Sequence, residues 1–242
     1  MANEAGDLKL LGNYGKLIDL VSADANYYPA NSEITKAALA AHYTLALAAV
    51  DDVAAKDAPN KMAVNDRQAV YDPLSGLVRR SFSMLKASGA SQAVRDDAQT
   101  NVRKVTGARK SPKIKDNPAT PAVEGAKQHS ASQMSFENRR GNVSAYVSIL
   151  ANVPSYNPNE NDLKVASLQA LVADLDAKNT AVSQTFVPLS QARGVRDGML
   201  YLNDDCVANR AALVKAYVQA AFGRDSQLFK QVKGLDFRRP KR

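Results

Sequence analysis

The sequence predicts an all-α protein, and three observations support that class. Alanine, leucine and valine dominate, aromatic residues make up only 6%, and tryptophan is absent, a composition that favours helix packing. No stretch alternates apolar and polar residues for long enough to indicate a strand. Shifting the chain along itself by 129 residues brings turn-forming residues and helical segments into register, which predicts an internal repeat.

The matches between the two copies include glycine, asparagine, proline, tyrosine and arginine positions as well as alanines. Pairs in register include Gly12/Gly141, Asn13/Asn142, Tyr27/Tyr156, Pro59/Pro188 and Arg67/Arg196. We therefore predict two tandem copies of a roughly four-helix unit that form a pseudo-twofold helical bundle. The copies are residues 1–107 and 136–242, the second with a basic C-terminal tail, and 108–135 is a linker rich in Pro, Ala and Lys. Two separate bundles are the alternative.

The first helix of each copy is predicted over 8–24 and 136–152, because apolar residues recur there at helical spacing. It ends at the turns YYPANS and SYNPNEN, where proline and asparagine break the helix and asparagine can cap the next one. The second helix is predicted over 32–57 and 160–185, with acids in its first turn.

The third helix is predicted to begin at Pro59 and Pro188, since the first turn of a helix accepts proline. A turn or kink follows at 71–77 and 201–206, and then a fourth helix. A short terminal helix over 91–106 and 225–233 completes each copy.

The positive charge is concentrated in the tails of the two copies. Residues 103–115 carry six cations and no acid, and 230–242 carry six cations and one acid, which leaves −3 for the rest of a chain whose total is +8. Such tails suit an anionic partner or only solubilise helix ends. The predicted partner-binding or anion-binding residues are Lys110, Lys113, Lys115, Phe237, Arg238, Arg239, Lys241 and Arg242.

The tail GLDFRRPKR contains apolar residues that a purely solubilising tail would not need. We predict that Gly234 ends the last helix in the left-handed conformation and that Phe237 is buried in an apolar groove. Arg238 and Arg239 are expected to pair with carboxylates.

Two arginines and two tyrosines are predicted to be structural. Arg67 and Arg196 each have a neighbouring acid in sequence, which favours a buried or interfacial Arg–carboxylate pair over an anion clamp. Tyr27 and Tyr156 are expected to pack over the turn and hydrogen-bond back to the chain.

The sequence contains no phosphate loop, dinucleotide fingerprint or nucleophile elbow. His42 and His129 belong to no metal-ligand pattern, and the single Cys206 is predicted to be a small core residue. We expect no cofactor, no metal and no enzymatic activity. A helical-bundle site of Arg, Tyr and Asp would leave no motif, so an enzyme is the minor alternative.

The N-terminus lacks the basic and apolar regions of a signal peptide, and no run of 18 apolar residues occurs. A cytoplasmic protein without a membrane span is therefore expected, with non-standard export as the alternative. The predicted function is a non-enzymatic structural or interaction protein that self-associates by docking its basic tails on acidic helical faces. The alternative is a nucleic-acid-binding protein that grips phosphates through the tails.

The segments YNPNENDLKVASLQALVADLDAKNTAV and VPLSQARGVRD, together with the ending KAYVQAAFGRDSQLFKQVKGLDFRRPKR, resemble a family of hypothetical helical proteins from Bacteroidota bacteria. The resemblance covers roughly residues 140–242 and includes the closing G-L-x-F-R-R-P-K pattern. It implies a bacterial origin and makes the basic ending a family feature. It implies no activity, ligand or catalytic residue.

Overall fold

The computed structural model describes residues 4–108 and 134–238. In these two ranges all regular elements are helical and no strand occurs, which confirms the predicted all-α class. The α-helices are α1 (Glu4–Ala23), α2 (Lys36–Tyr71), α3 (Leu74–Ala87), α4 (Gln92–Thr106), α5 (Phe136–Ala151), α6 (Val165–Asp197), α7 (Val207–Phe222) and α8 (Gln227–Lys233).

The two halves of the chain, 4–108 and 134–238, have the same order of elements. In each half a helix is followed by a 3₁₀ turn, Ser32–Ile34 or Asn161–Leu163, and then by a long helix. The Asn31 side chain accepts a hydrogen bond from the Glu33 N–H at 2.9 Å, so asparagine caps the first of these turns. The π-helix Gly198–Leu202 follows α6 directly, where α2 is followed by a short turn.

The predicted helix boundaries at Pro59 and Pro188 are wrong. Pro59 lies inside the continuous helix α2, and Pro188 lies inside α6. A proline in a helix interior loses one hydrogen bond to the carbonyl four residues earlier, here that of Ala55 or Gln184. The helix continues on both sides of each proline, so only the local sequence makes these positions look like helix starts.

The chain forms two compact units, and the boundary between them falls within α2 and within α6. Unit 1 comprises Met1–Lys61 and Thr185–Arg242, and unit 2 comprises Met62–Gln184. The described part of unit 1 therefore contains α1, the first part of α2, the last part of α6, α7 and α8. Unit 2 contains the rest of α2, α3, α4, α5 and the first part of α6.

Each unit has a core that neither half of the chain supplies alone. In unit 1, Tyr14, Leu17 and Leu39 of the first half are buried with Leu200 and Val214 of the second. In unit 2, buried residues of the first half, including Leu74, Val78 and Leu85, meet Val143, Tyr146, Val147 and Leu150 of the second. The repeats marked in the sequence are therefore not the compact units, because each unit combines the start of one repeat with the end of the other.

Candidate functional site

The C-terminal segment 234–238 is held on unit 1 by side chains from two helices. Lys215 of α7 donates to the Leu235 carbonyl oxygen at 2.5 Å, and its Nζ lies 5.0 Å from the centroid of the Phe237 ring. Asn13 of α1 donates to the Asp236 carbonyl oxygen at 2.9 Å. Leu235 and Phe237 pack, half-buried, against the core of unit 1. The segment is thus fixed through its backbone and its two apolar side chains.

The predicted left-handed end at Gly234 is wrong. Gly234 has φ −69° and ψ −16°, which is right-handed helical backbone. The Leu235 N–H bonds the Val232 carbonyl oxygen at 3.3 Å, so the last turn tightens instead of reversing. The left-handed glycine cap occurs at the end of α4, where Gly107 has φ 71°.

Of the cations predicted to bind a partner, Arg238 lies among the described residues and the others do not. Arg238 has an 89% exposed side chain, and its Nε lies 3.3 Å from the carboxylate of Asp236, two residues earlier. Its charge is therefore presented to solvent with only a local carboxylate beside it. The predicted residues Arg239, Lys241, Arg242, Lys110, Lys113 and Lys115 lie outside the described residues.

Burial affects the charge that holds the segment. Loss of hydration lowers the pKa of Lys215, and the nearby Asp236 carboxylate opposes that shift. The ammonium group of Lys215 donates hydrogen bonds to the backbone carbonyl oxygens of Lys233 and Leu235, and these bonds replace part of the hydration that it loses on burial. Lys215 was not predicted from the sequence, because its contact with the tail exists only in the tertiary structure.

Arg196 forms a buried ionic cluster in unit 1. Its guanidinium lies 2.7 Å from the carboxylate of Asp197 and 3.3 Å from that of Asp7, with only 2% of the arginine side chain exposed. Tyr201 donates to Asp7 at 2.7 Å. Burial and the hydrogen bond to Asp7 both raise the pKa of Tyr201, so the phenol remains a donor. The cluster ties α1 to the end of α6.

Arg67 makes a different contact from the one predicted. Its guanidinium stacks over the Phe136 ring, 3.8 Å from the centroid, and is not paired with the adjacent Asp66. Asp66 instead accepts from Lys178 at 3.1 Å. The prediction of an Arg–carboxylate pair at this position is wrong, because the Phe136 ring lies against the guanidinium and Asp66 pairs with Lys178 instead.

Tyr27 and Tyr156 occupy equivalent places in the two units. The Tyr27 hydroxyl donates to the Ile34 carbonyl oxygen at 2.7 Å, and the Tyr156 hydroxyl donates to the Leu163 carbonyl oxygen at 2.8 Å. Both rings are almost fully buried. Burial is the main cause that raises the pKa of Tyr156 to about 12. Each tyrosine therefore ties the turn between two helices to the 3₁₀ turn that follows it.

His42 is a buried polar residue in unit 1. Its Nδ1 lies 3.3 Å from the Tyr14 hydroxyl, and its Nε2 is buried without a hydrogen-bond partner in the described protein. Burial lowers the pKa of the imidazole, and the positive charge of Arg210 adds to that effect. In the described ranges no group of three or more His, Cys, Asp or Glu side chains could hold a metal ion. Cys206 is buried, as predicted for a core residue.

The outward side of the first part of α2 is apolar, a feature that the sequence analysis missed. Its exposed residues between 37 and 50 include no charged side chain. Leu45 is 59% exposed and Leu47 is 36% exposed. We call this surface the α2 face, and its members are Ala37, Ala40, Ala41, Thr44, Leu45, Leu47 and Ala48. A helical-wheel analysis of α2 would have shown it, since Leu39, His42 and Ala46 occupy the opposite side.

The α2 face lies within the one described stretch that is long and apolar enough to cross a membrane by length and composition alone. That stretch runs from Lys36 to Ala87, and 28% of its most apolar window is buried in the protein. Leu39 and Ala46 of this stretch belong to the core of unit 1. Comparison of the chain with family models, with curated proteins and with solved structures finds no match.

Proposed function

We propose that the protein is a non-enzymatic interaction protein that associates with further copies of itself. The α2 face carries the proposal. An exposed helix surface without charge over residues 37–50 is costly to leave in water, and burying it against a partner stabilises an association. A helix surface made mainly of small residues, with two leucines beside them, suits packing against another helix at short distance.

Comparison of α2 with α6 supports this proposal. Positions 129 residues after Leu45 and Leu47 in α6 are Asp174 and Asp176, and both are exposed. The same side of a similarly long helix is therefore charged in α6 and apolar in α2. A long helix of this kind therefore does not require apolar residues at these exposed positions. The difference between the two helices points to a contact that α2 makes and α6 does not.

The tails supply the polar part of the proposed contact. Arg238 presents its charge to solvent, and the body of the chain is acidic relative to its tails. We place the cations of one chain beside exposed acids of a neighbour, where complementary charge would orient association more than it would strengthen it. Because Leu235 and Phe237 pack against their own unit, the described tail residues left for that role are the exposed cations Lys230, Lys233 and Arg238.

The test measures mass in solution as a function of protein concentration. Light scattering or sedimentation should show association of the wild-type chain, and Ala41→Glu should weaken it at least about tenfold by placing a charge on the α2 face. Ala170→Glu, on the exposed side of α6 at the matching position, is the control and should leave association unchanged. A wild-type chain that stays monomeric at high concentration and low salt contradicts the proposal.

The second candidate is nucleic-acid binding through the tails, favoured by the exposed charge of Arg238. Phosphate contacts would give an affinity whose logarithm falls linearly with the logarithm of salt concentration. Removing residues 238–242 should reduce that slope and leave the fold intact, because Phe237 is retained. Absence of binding to single-stranded or duplex nucleic acid at about 50 mM salt, where phosphate contacts are strong, contradicts this candidate.

A further inference from the structure

The two halves of the chain, 4–108 and 134–238, are each other's binding partners. In unit 1, Asp7 meets Arg196 and Tyr201, and Asn13 meets the backbone of Asp236. Every one of these contacts joins a residue of the first half to a residue of the second. The most buried of them, between Asp7 and Arg196, leaves only 7% and 2% of the two side chains exposed.

Unit 2 is joined in the same way. The Tyr71 hydroxyl donates to the Phe136 carbonyl oxygen at 2.9 Å, and Ser81 Oγ lies 2.7 Å from the Tyr146 hydroxyl in a buried contact. Arg80 and Asp162 form an ion pair at 2.6 Å with both side chains about half exposed. Helices α4 and α5, one from each half, make the most extensive contact in the unit. Apolar and polar contacts thus both depend on the two halves being together.

We propose that two copies of this chain associate by exchanging halves, so that the first half of one chain completes its two units with the second half of the other. The exchange preserves every contact described above, because each unit needs one first half and one second half and does not require them to be covalently joined. Exchange of identical elements is a low-cost route to a dimer for this reason. The inference rests on the proposed self-association and specifies one way in which it occurs.

The surfaces that exchange would join are different from the α2 face. The apolar contacts between halves involve the buried sides of the helices, whereas the α2 face is directed outward. A dimer formed by exchange would still present the α2 face of each chain. Contacts between such faces would then join dimers into larger assemblies. A single chain competes with exchange through the high effective concentration of its own second half, so exchange is favoured by refolding at high protein concentration.

The test reverses the charges of the buried pair on separate full-length chains. Within a single chain, Asp7→Arg places the new arginine beside Arg196. Arg196→Asp places the new carboxylate beside those of Asp7 and Asp197. In a mixed exchanged dimer, one copy of unit 1 brings the two substituted positions together as a reversed ion pair. The other copy of unit 1 contains the natural pair, so both are satisfied. The two variants are unfolded separately, combined in equal amounts, refolded together and analysed by native mass spectrometry with helicity measured in parallel.

The expected result is a dimer that contains one chain of each variant, in more than about a hundredfold excess over dimers of either variant alone, because a buried unpaired charge is strongly unfavourable. If either variant fails to fold by itself, helicity should appear only after refolding together. The double variant Asp7→Arg/Arg196→Asp is the control that tests tolerance of the reversed pair within one chain. The half-exposed pair Arg80–Asp162 provides a second reversal that folding tolerates, with mixed dimers above their statistical share.

Three outcomes separate this inference from the proposed function. A mixed dimer with restored helicity supports exchange. Association of the wild-type chain without any preference for mixed dimers, in both charge-reversal pairs, overturns exchange and leaves self-association in place. A wild-type chain that is monomeric at every concentration, before and after refolding, overturns both.

Discussion

Arg196 reaches across from the end of α6 to Asp7 near the start of α1, with 3.3 Å between Nη1 and Oδ2 in a buried environment. In the other unit, Arg67 lies 3.8 Å from the centroid of the Phe136 ring. The same shift of 129 residues relates Arg67 to Arg196 and Asp7 to Phe136. Residues related by this shift thus form an ion pair in unit 1 and a cation–π contact in unit 2, and each arginine contacts the opposite half of the chain.

Replacing these arginines should have unequal effects. Arg196→Met leaves the buried Asp7 without its cation, and we expect it to lower the free energy of unfolding by about 3–5 kcal/mol. Arg67→Met loses a stacking contact but leaves no buried carboxylate behind, so its cost should be about 0.5–2 kcal/mol. Urea unfolding followed by circular dichroism measures both. Equal losses for the two variants would show that the Asp7 pair is not buried as described.

The docked tail should contribute to stability through Phe237 and not through its cation. Phe237→Ala removes a half-buried ring from Lys215 and the unit 1 core, which should cost about 1 kcal/mol. Arg238→Ala removes a side chain that is 89% exposed, and the change should stay within about 0.5 kcal/mol. Thermal melting distinguishes them. If Phe237→Ala melts like the wild type, the segment 234–238 is not docked in solution.

Stability should fall when the pH drops below about 6.5, the ordinary pKa of histidine. Burial lowers the pKa of His42 in the folded protein, so below that pH the unfolded chain binds a proton that the folded chain does not. The stability contribution is therefore fully present above the unfolded pKa and is lost progressively below it. Urea midpoints measured from about pH 5 to about pH 7.5 follow the effect across this range.

His42→Gln should flatten this pH dependence, since glutamine does not titrate. His129→Gln is the matched control, because His129 is the other histidine of the chain and lies outside the described residues. Its pH profile should follow that of the wild type. A His42→Gln variant whose stability falls with acidification as steeply as that of the wild type would assign the dependence to other groups.

Restoring the missing helix hydrogen bond should stabilise α2. Pro59 is exposed inside the helix and leaves the Ala55 carbonyl without its usual N–H partner. Pro59→Ala supplies that N–H, and we expect a gain of about 1–3 kcal/mol in urea unfolding, after the greater freedom of the unfolded alanine chain is taken into account. Pro188→Ala, at the half-buried matching position, should gain less because its ring also packs. A loss of stability in Pro59→Ala would mean that the proline at this point of α2 is needed for the fold.

Helix content and most helix ends follow from local sequence patterns. Apolar spacing, the turns near Tyr27 and Tyr156 and the breaks after Tyr71 are all signals carried by neighbouring residues. The continuity of α2 and α6 does not follow, because a proline at the start of a helix and one inside it look alike locally. The register also changes late in the repeat. The buried positions Leu74, Val78, Ser81 and Leu85 of α3 match Val207, Ala211, Val214 and Val218 of α7 with a shift of 133, not 129.

The candidate site was only partly predictable for the same reason. The tail residues Phe237 and Arg238 stand out in the sequence by composition, but Lys215 and Asn13, which hold the tail, are ordinary helix residues whose role depends on tertiary contact. Asp7 and Arg196 lie in different halves of the chain, so no local pattern pairs them. The internal duplication stays a prediction, now supported by the matching order of elements and by the paired positions of Arg67 and Arg196.

Each compact unit needs both halves of the chain, and cutting the chain between the halves is the direct test of this dependence. A recognition sequence for a specific protease is inserted within 109–133, and the purified protein is cleaved and analysed by size-exclusion chromatography, circular dichroism and native mass spectrometry. We expect the two fragments to stay together at the mass of the whole chain, to keep their helicity and to melt in the same transition as the uncut protein. Fragments that separate and remain folded independently would contradict it.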